Sequence, residues 1–195
     1  SLFARTLIAA DGANSIVRRE LHVPMALTDT GQSALAFAAR TSAPHERTAF
    51  QRFLQDGPLA LLPMADEHLL SVVWSARNAR ADELASLSVR ALERELERAS
   101  EGRLGAVLEA IKPVRFPLRQ GVISNFCPGR NLVFIGDAAR VVHPLAGQGV
   151  NLGFEDVRAL LVCTEPAVCV NAAPVASHLR RYARLRRARS RLAVN

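Results

Sequence analysis

The chain has 195 residues, 49% of them hydrophobic and 22% charged, with a formal net charge of +7. That apolar content is enough to bury a core in one large domain or two modest ones, which excludes an intrinsically disordered chain. No apolar run is long enough to span a bilayer, and the first residues carry no charged and then hydrophobic leader, so a cytoplasmic protein is expected.

Residues 6–10 read as a short buried strand that stops at Asp11-Gly12. A helical segment follows through Ser15, Val17 and Arg18 to Leu21, with Asn14 or Ser15 as its cap. From Ser33 the composition changes to strands joined by turns. Residues 35–41, 48–53, 59–63 and 69–75 read as strands, with Asp56-Gly57-Pro58 and Ala65-Asp66-Glu67 as turns, which makes an antiparallel meander. The alternation through Phe50, Arg52 and Leu54, and again through Leu70, Val72 and Trp74, predicts one covered and one more polar face.

Asp82 begins an amphipathic helix. Leu84, Leu87, Ala91, Leu92, Leu96 and Ala99 mark its inward side, Arg90, Glu93, Arg94, Glu97 and Arg98 its solvated side, and Gly102 ends it. A short helical turn through Val107 and Leu108 leads to Lys112-Pro113. Residues 114–118 alternate and return the chain to the sheet as an edge strand, because Pro117 has no N–H for a ladder. Residues 121–127 lead back to the first structural unit, which is therefore discontinuous.

The next stretch carries the chemistry. Leu132, Val133, Phe134 and Ile135 are apolar without alternation, as in a strand buried on both faces, and the strand stops at Gly136-Asp137. Small residues, His143-Pro144 and Gly147-Gln148-Gly149-Val150-Asn151 follow. Leu152, Phe154, Val157, Leu160 and Leu161 then return at helical spacing. A strand, a loop and a helix in that order place the loop at the carboxyl end of a parallel strand, where α/β sheets bind ligands. Glycines at the helix start let the backbone approach a ligand, and the first-turn amides offer positive potential to an anion. Asp137 suits a different task, accepting hydrogen bonds from the hydroxyls of a sugar or polyol. The same residues also suit a buried turn whose glycines serve tight packing alone.

Past Leu161 a loop with Pro166 and Pro174 leads to a helix over residues 177–192, with Leu179, Tyr182, Leu185 and Leu192 on its buried side. Arg180, Arg181, Arg184, Arg186, Arg187, Arg189 and Arg191 lie there without an acid. They are seven of the 25 basic residues, which leaves 18 to balance the 18 acids of the rest. Such a helix either packs on the body with a solvated face or touches anionic lipid. With no aromatic among the arginines beyond Tyr182, nucleic acid is not an expected partner. Cys127, Cys163 and Cys169 form no metal-ligand spacing and their odd number argues against a disulfide framework; reduced thiols and no metal site are expected.

Three stretches carry a family resemblance. G-D-A-A-x-x-x-H-P-x-x-G-Q-G-x-N-L-G over residues 136–153 resembles the second flavin-binding motif of the FAD-dependent aromatic-ring hydroxylases, the class A flavoprotein monooxygenases. A-A-D-G-A-N-S-x-V-R over residues 9–18 resembles the same family's Asp-Gly motif. Between them, HERTAFQRFLQDGPLALLPM and SVVW are similar to the branch that hydroxylates polyprenylated phenols on the way to ubiquinone, the 2-polyprenyl-6-methoxyphenol hydroxylase type.

The resemblance implies an α/β (α+β) fold, an incomplete FAD-binding domain with an inserted antiparallel-sheet substrate domain. Its segments would be residues 1–32 and 122–162 for the cofactor, 33–121 for the inserted sheet and 163–195 for a basic carboxy-terminal helix. By resemblance, Asp11, Gly12, Ser15 and Arg18 line the pyrophosphate side of FAD, and Gly136 and Asp137 meet the ribityl hydroxyls. Pro144, Gly147, Gln148, Gly149, Val150 and Asn151 face the anionic N1 and C2 carbonyl edge of reduced flavin. His143 orients that loop rather than moving a proton. A capped helix with Arg18 as a solvated surface charge is the plainer alternative for the first motif.

NAD(P)H is the implied reductant, and hydroxyl transfer to the phenol through a flavin C4a-hydroperoxide is the implied chemistry, so no side chain is expected to be catalytic. Phe37, Phe53, Leu62 and Trp74 would wall the site for the polyprenylated phenol, although core packing is the first expectation for any single one. Contact with the inner membrane or with a ubiquinone-biosynthesis complex is implied as well. One element of the family is missing: there is no G-x-G-x-x-G, since Gly102 and Gly105 in EGRLGA have neither its spacing nor a strand before them. The expectation is the carboxy-terminal portion of a longer enzyme, the alternative an inactive fragment or interaction subunit without FAD.

Overall fold

The structure, a computed structural model, describes residues 3–142, 148–168 and 175–194, and of 148, 165–168, 175 and 191–194 the backbone alone. In chain order the elements are β1 (Leu7–Ala9), α1 (Ile16–Glu20), β2 (Thr28–Thr41), β3 (Phe50–Leu54), β4 (Gly57–Pro63), β5 (Leu69–Arg77), α2 (Asn78–Ser86) and α3 (Val89–Ala99). There follow β6 (Val107–Ala110), β7 (Val114–Val122), β8 (Leu132–Phe134), a 3-10 turn at Gly136–Ala138, β9 (Arg140–Val141), α4 (Gln148–Val168) and α5 (Val175–Val194). They form two compact units, Asp29–Leu118 and the pair of segments Ser1–Thr28 and Arg119–Asn195.

In the unit Asp29–Leu118 the strands lie in the order β3-β4-β5-β2-β7, with β6 beside β2. The meander β3–β4–β5 has the expected hairpins, and its register sets Leu61 opposite Phe50 and Val72, and Leu59 opposite Arg52 and Trp74. Alternation sends Leu35, Phe37, Leu59, Leu61, Leu70, Val72 and Trp74 to one face, where Leu84, Leu92, Leu96 and Ala99 of α2 and α3 cover them. Leu70 and Val72 are fully buried. Each such side chain stabilises by about 1.5–3 kcal/mol, and their sum is what holds this unit together. The opposite face carries Ala36, Ala38, Ala60, Ser71 and Val73, with Phe53 and Leu62 exposed on it.

Two elements here depart from expectation. The single amphipathic helix is two helices, because Leu87 is extended and Ser88 caps a new start by accepting the Ala91 N–H. Ser86 bonds back to the Glu83 carbonyl, so both serines offer the backbone a local alternative to helix continuation. The helical turn at Val107 and Leu108 is instead the strand β6, whose Ala110 and Glu109 pair with Ala39 and Arg40. Four residues are too few to display a period. β7 closes the strand order of this unit at one edge, a position that tolerates Pro117.

In the other unit β1 and β8 are parallel neighbours, Leu7 with Leu132, Ile8 with Val133 and Ala9 with Phe134. β8 is buried throughout, as its unbroken apolar run predicts. β1 is not the buried strand expected: Ala9 is covered while Leu7 and Ile8 are half exposed. Val133, Phe134, Ile123, Phe126, Leu160, Cys163, Leu179 and Tyr182 form the core. β9 pairs with Gly121 and Val122 at the end of β7.

The two long helices correct the pattern reading most. α4 runs on through Pro166 to Val168, where a loop was expected; a proline this close to a helix end removes a bond from the last turn only. Its inward positions are Asp156, Leu160 and Cys163, whereas Phe154, Val157 and Leu161 are exposed. α5 buries Leu179, Tyr182, Arg186 and Ser190; Leu185 is exposed, and the side chain of Leu192 lies outside the described residues. Among the described residues no helix is long and apolar enough to cross a membrane. Cys127 and Cys163 are buried free thiols, and Cys169 lies outside the described residues.

Candidate functional site

β1 and β8 end side by side, since the Ile135 N–H donates to the Ala9 carbonyl at 3.0 Å. The Asp11-Gly12 and Gly136-Asp137 turns therefore leave the same, carboxyl, end of a parallel pair, which is where open α/β sheets hold ligands. Gly12 (φ +82°) and Gly136 (φ +57°) both lie in the left-handed region that favours glycine. Among the described residues, chain neighbours apart, no atom comes within 4 Å of where a Cβ on either would stand, so both turns present bare backbone.

Asp11 turns its carboxylate onto the start of α1, where Oδ2 accepts the N–H of Ile16 at 2.7 Å and of Val17 at 3.2 Å. Burial is the largest influence on its pKa and raises it. Hydrogen bonds from the Ser15 hydroxyl and the amides of Val17, Asp11 and Ile16 together outweigh that, and the carboxyl ends below its ordinary range. Of the two capping candidates Ser15 is the cap: wholly buried, its Oγ accepts the Arg18 N–H at 3.0 Å.

Arg18 is not a solvated surface charge. It is 8% exposed, and its Nη1 donates to the Ala138 carbonyl at 3.0 Å while Nη2 donates to the Ala13 carbonyl at 2.5 Å. One rigid guanidinium fork thus ties the Asp-Gly turn to the Gly-Asp turn, a span that an ammonium cannot bridge. The second turn is held at other points too. The Ala139 N–H donates to Gly136, the Ile123 N–H to Ala139, each at 3.0 Å, and the Gly136 N–H reaches Asp156 Oδ2 at 2.9 Å. What this frame turns outward is the exposed side chain of Asp137.

Asp156 is the centre of the frame, and the motif reading passed over it. It is fully buried and is shared by two buried arginines. Arg140 approaches with Nη1 at 3.0 Å from Oδ1 and Nη2 at 2.8 Å from Oδ2, and Arg186 donates from Nε to Oδ1 at 2.5 Å. Arg186 also reaches Glu155 at 3.1 Å and the Leu152 carbonyl at 3.3 Å, and Arg140 donates to the Ser190 hydroxyl at 3.2 Å. Burial pulls the Arg186 pKa down, but Asp156 and Glu155 more than compensate and raise it. Tyr182 donates to the Phe134 carbonyl at 3.2 Å; burial first, and then the Asp156 charge, keep its hydroxyl protonated. A signal for Asp156 was present: an acid four residues from both Leu152 and Leu160 lies on their face of the helix.

α4 starts at Gln148, with Gly149, Val150 and Asn151 in a first turn that contains no acid. Its leading amides have no partner within the helix, so they present positive potential. Among the described residues, and apart from its own helix backbone, a Cβ built on Gly149 would meet only Val142 Cγ2, at 3.9 Å. Packing among the described residues therefore does not require a glycine there. Val150 and Asn151 are exposed, and His143, Pro144, Gly147 and the Gln148 side chain lie outside the described residues.

These groups suit FAD: two turns of bare backbone, an outward carboxylate to accept from hydroxyls, and a helix start free of acids for an anionic ring edge. In the other unit, Phe37 and Trp74 are core residues under α2 and α3, and Phe53 (72% exposed) and Leu62 (39%) lie on the open face of the sheet.

All of residues 1–195 match the protein family described as FAD binding domain. The chain is 37% identical over 159 residues to the 3-demethoxyubiquinol 3-hydroxylase of Escherichia coli (strain K12), which covers 81% of this chain and 40% of that protein. It is 35% identical over 190 residues to the mitochondrial ubiquinone biosynthesis monooxygenase COQ6 of Homo sapiens, covering 80% of this chain and 40% of that protein. Its fold superposes on the crystal structure of PqsL, a probable FAD-dependent monooxygenase from Pseudomonas aeruginosa, with a TM-score of 0.77. That match has 26% identity and covers 97% of this chain and 53% of the other. The chain spans about 40% of the length of these curated relatives.

Proposed function

This chain belongs to the FAD binding domain family, and from that premise we propose that it supplies the Asp-Gly and Gly-Asp sides of the cofactor site in an FAD- and NAD(P)H-dependent monooxygenase. The substrate in this reading is the aromatic ring of a polyprenylated phenol in ubiquinone biosynthesis. The observation that carries it is the pair of left-handed glycine turns at the carboxyl ends of β1 and β8, clamped together by Arg18.

FAD, when bound, would supply the redox chemistry, from reduction by NAD(P)H to oxygen activation for hydroxyl transfer to the ring. The residues of this chain bind and orient. Asp137 accepts the ribityl hydroxyls. Gly12 leaves its backbone open to the pyrophosphate, while Asp11, Ser15 and Arg18 fix the wall of which it is part. The first-turn amides of α4, at Gly149, Val150 and Asn151, would stabilise negative charge at the N1 and C2 carbonyl edge, and the sequence motif assigns Pro144, Gly147 and Gln148 to the same task. Because these dipoles are fixed before charge develops, they cost no reorganisation when it does.

For the substrate, Phe53 and Leu62 with Ala36, Ala38 and Ala60 offer an apolar surface of small relief, suited to a flat ring and isoprenoid tail. Phe37 and Trp74 shape that sheet from its covered side. Four exposed arginines of α5, Arg180, Arg181, Arg184 and Arg187, are the side we assign to anionic lipid, and a peripheral position at the inner membrane is the proposal they support.

The test is turnover. With FAD, NAD(P)H, a polyprenylated phenol and isotope-labelled dioxygen, the holoenzyme should add one labelled oxygen to the ring. Oxidation of NAD(P)H with every polyprenylated phenol left unchanged contradicts the substrate, and a folded protein that retains no flavin contradicts the cofactor.

A further inference from the structure

Four side chains of α5 face inward at intervals of three and four residues: Leu179, Tyr182, Arg186 and Ser190. Three of them are polar, an unusual composition for the buried stripe of a helix, and all three converge on one place. Tyr182 donates to Phe134, the last residue of β8; Arg186 donates to Asp156; Ser190 accepts from Arg140, which also holds Asp156. Asp156 in turn receives the N–H of Gly136, the left-handed residue that opens the turn carrying Asp137.

We propose that α5 is a positioning brace for the Gly136–Ala138 turn, acting through Arg186 and Asp156, so that the place of Asp137 is set from the far end of the chain. The inference rests on the reading of that turn as cofactor-binding. Its physical basis is the sharing of one carboxylate. Both oxygens of Asp156 are engaged: Oδ1 accepts from Arg140 Nη1 and Arg186 Nε, and Oδ2 accepts from the Gly136 N–H with Arg140 Nη2 in ion-pair contact at 2.8 Å. In a buried network each hydrogen bond polarises the others, and a lost partner leaves the remaining charge unbalanced. Removing Arg186 lets Asp156 turn toward Arg140 alone, and the Gly136 N–H loses the acceptor that fixes it. Arg186 and Ser190 reach no atom of the turn themselves; they act through Asp156 and Arg140.

The Gly136 amide proton reports this directly. A proton bonded to a carboxylate resonates downfield and exchanges slowly with solvent. In Arg186→Met its resonance should move upfield and its exchange accelerate by about tenfold or more, with amides of Ala36 and Val73 in the other unit unchanged. Arg186→Lys, which returns a cation to Asp156, should recover most of the shift, and Ser190→Ala should move it less and in the same direction. Leu185→Ala, an exposed position on α5, should leave it in place.

An unmoved Gly136 resonance in folded Arg186→Met overturns the proposal. So does a loss of protection spread evenly over α4 and α5, which would make Arg186 a packing residue only. If Arg186→Met does not fold, Arg186→Lys and Ser190→Ala decide by the same readout. None of these measurements needs FAD. Titrating the same samples with FAD separates the two readings: a Gly136 shift in a protein that binds no FAD removes the proposed function and leaves the brace. A Gly136 shift with undiminished FAD affinity overturns the brace as a positioning device.

Discussion

In Asp29–Leu118, Leu70, Val72 and Trp74 alternate along β5 and meet Leu84, Leu92 and Leu96 of two helices. In the other unit, α4 and α5 turn Asp156, Arg186 and Ser190 inward beside their leucines. The first interior is held by area removed from water, which has no direction and tolerates a substitute of similar volume. The second has its own apolar core and adds to it buried charges whose bonds are directional, so that a lost partner there leaves a charge unbalanced. The contrast teaches where function sits. An apolar core gives a sheet with an open face, whereas fixing the N–H of one glycine turn takes a directional bond from a named atom.

Six substitutions test this contrast. The largest effect is expected from Asp156→Ala, which strands two buried arginines and should cost about 3–5 kcal/mol in denaturant unfolding. Asp156→Asn should recover little of it, while Leu70→Met should cost under about 1.5 kcal/mol. Equal tolerance of the two conservative changes would erase the distinction. Arg18→Lys comes next. It keeps the charge but cannot bridge Ala13 and Ala138, so a loss of about 1.5–3 kcal/mol is expected for the charged hydrogen bond forgone.

Asp11→Asn should show itself at neutral pH and not in acid. The folded carboxyl titrates below its ordinary value of 3.8, so its contribution is present above that pH and is lost as pH falls through the folded value. Wild type and Asp11→Asn should therefore differ in melting temperature by a constant amount at neutral pH, and the gap should close below pH 3.8. A gap that widens in acid contradicts the assignment. The smallest effect is on folding in Gly149→Ala. With open space around that position, the change should stabilise by about 0.4–1 kcal/mol, yet weaken FAD binding.

Much of the apolar architecture was legible in the sequence. The period-two pattern of Leu70, Val72 and Trp74 gave the covered face, and the unalternating Leu132, Val133 and Phe134 gave a strand buried on both sides. The helix faces were less legible. Phe154, Val157 and Leu161 have helical spacing and are exposed, while Asp156 and Arg186 have the polarity of surface residues and are buried. Periodicity weighs side chains by hydrophobicity, and a charge neutralised by a partner thirty positions away looks the same as a solvated one. At the site, the motifs pointed to Gly12, Gly136 and Asp137, but the clamp by Arg18 and the hub at Asp156 depend on contacts that only the fold creates. Val107 failed for a simpler reason: a strand of four residues has too little sequence to declare its type.

The measurement that bears most directly on the cofactor site is the affinity for FAD, read by quenching of flavin fluorescence, of the wild-type protein and of Asp137→Ala. Asp137 is exposed and its side chain belongs to neither interior, so the variant should fold as well as the wild type. Loss of a charged acceptor for the ribityl hydroxyls should weaken binding by about tenfold or more. Equal affinity in the two proteins, both folded, would contradict the assignment of the joined turns to FAD.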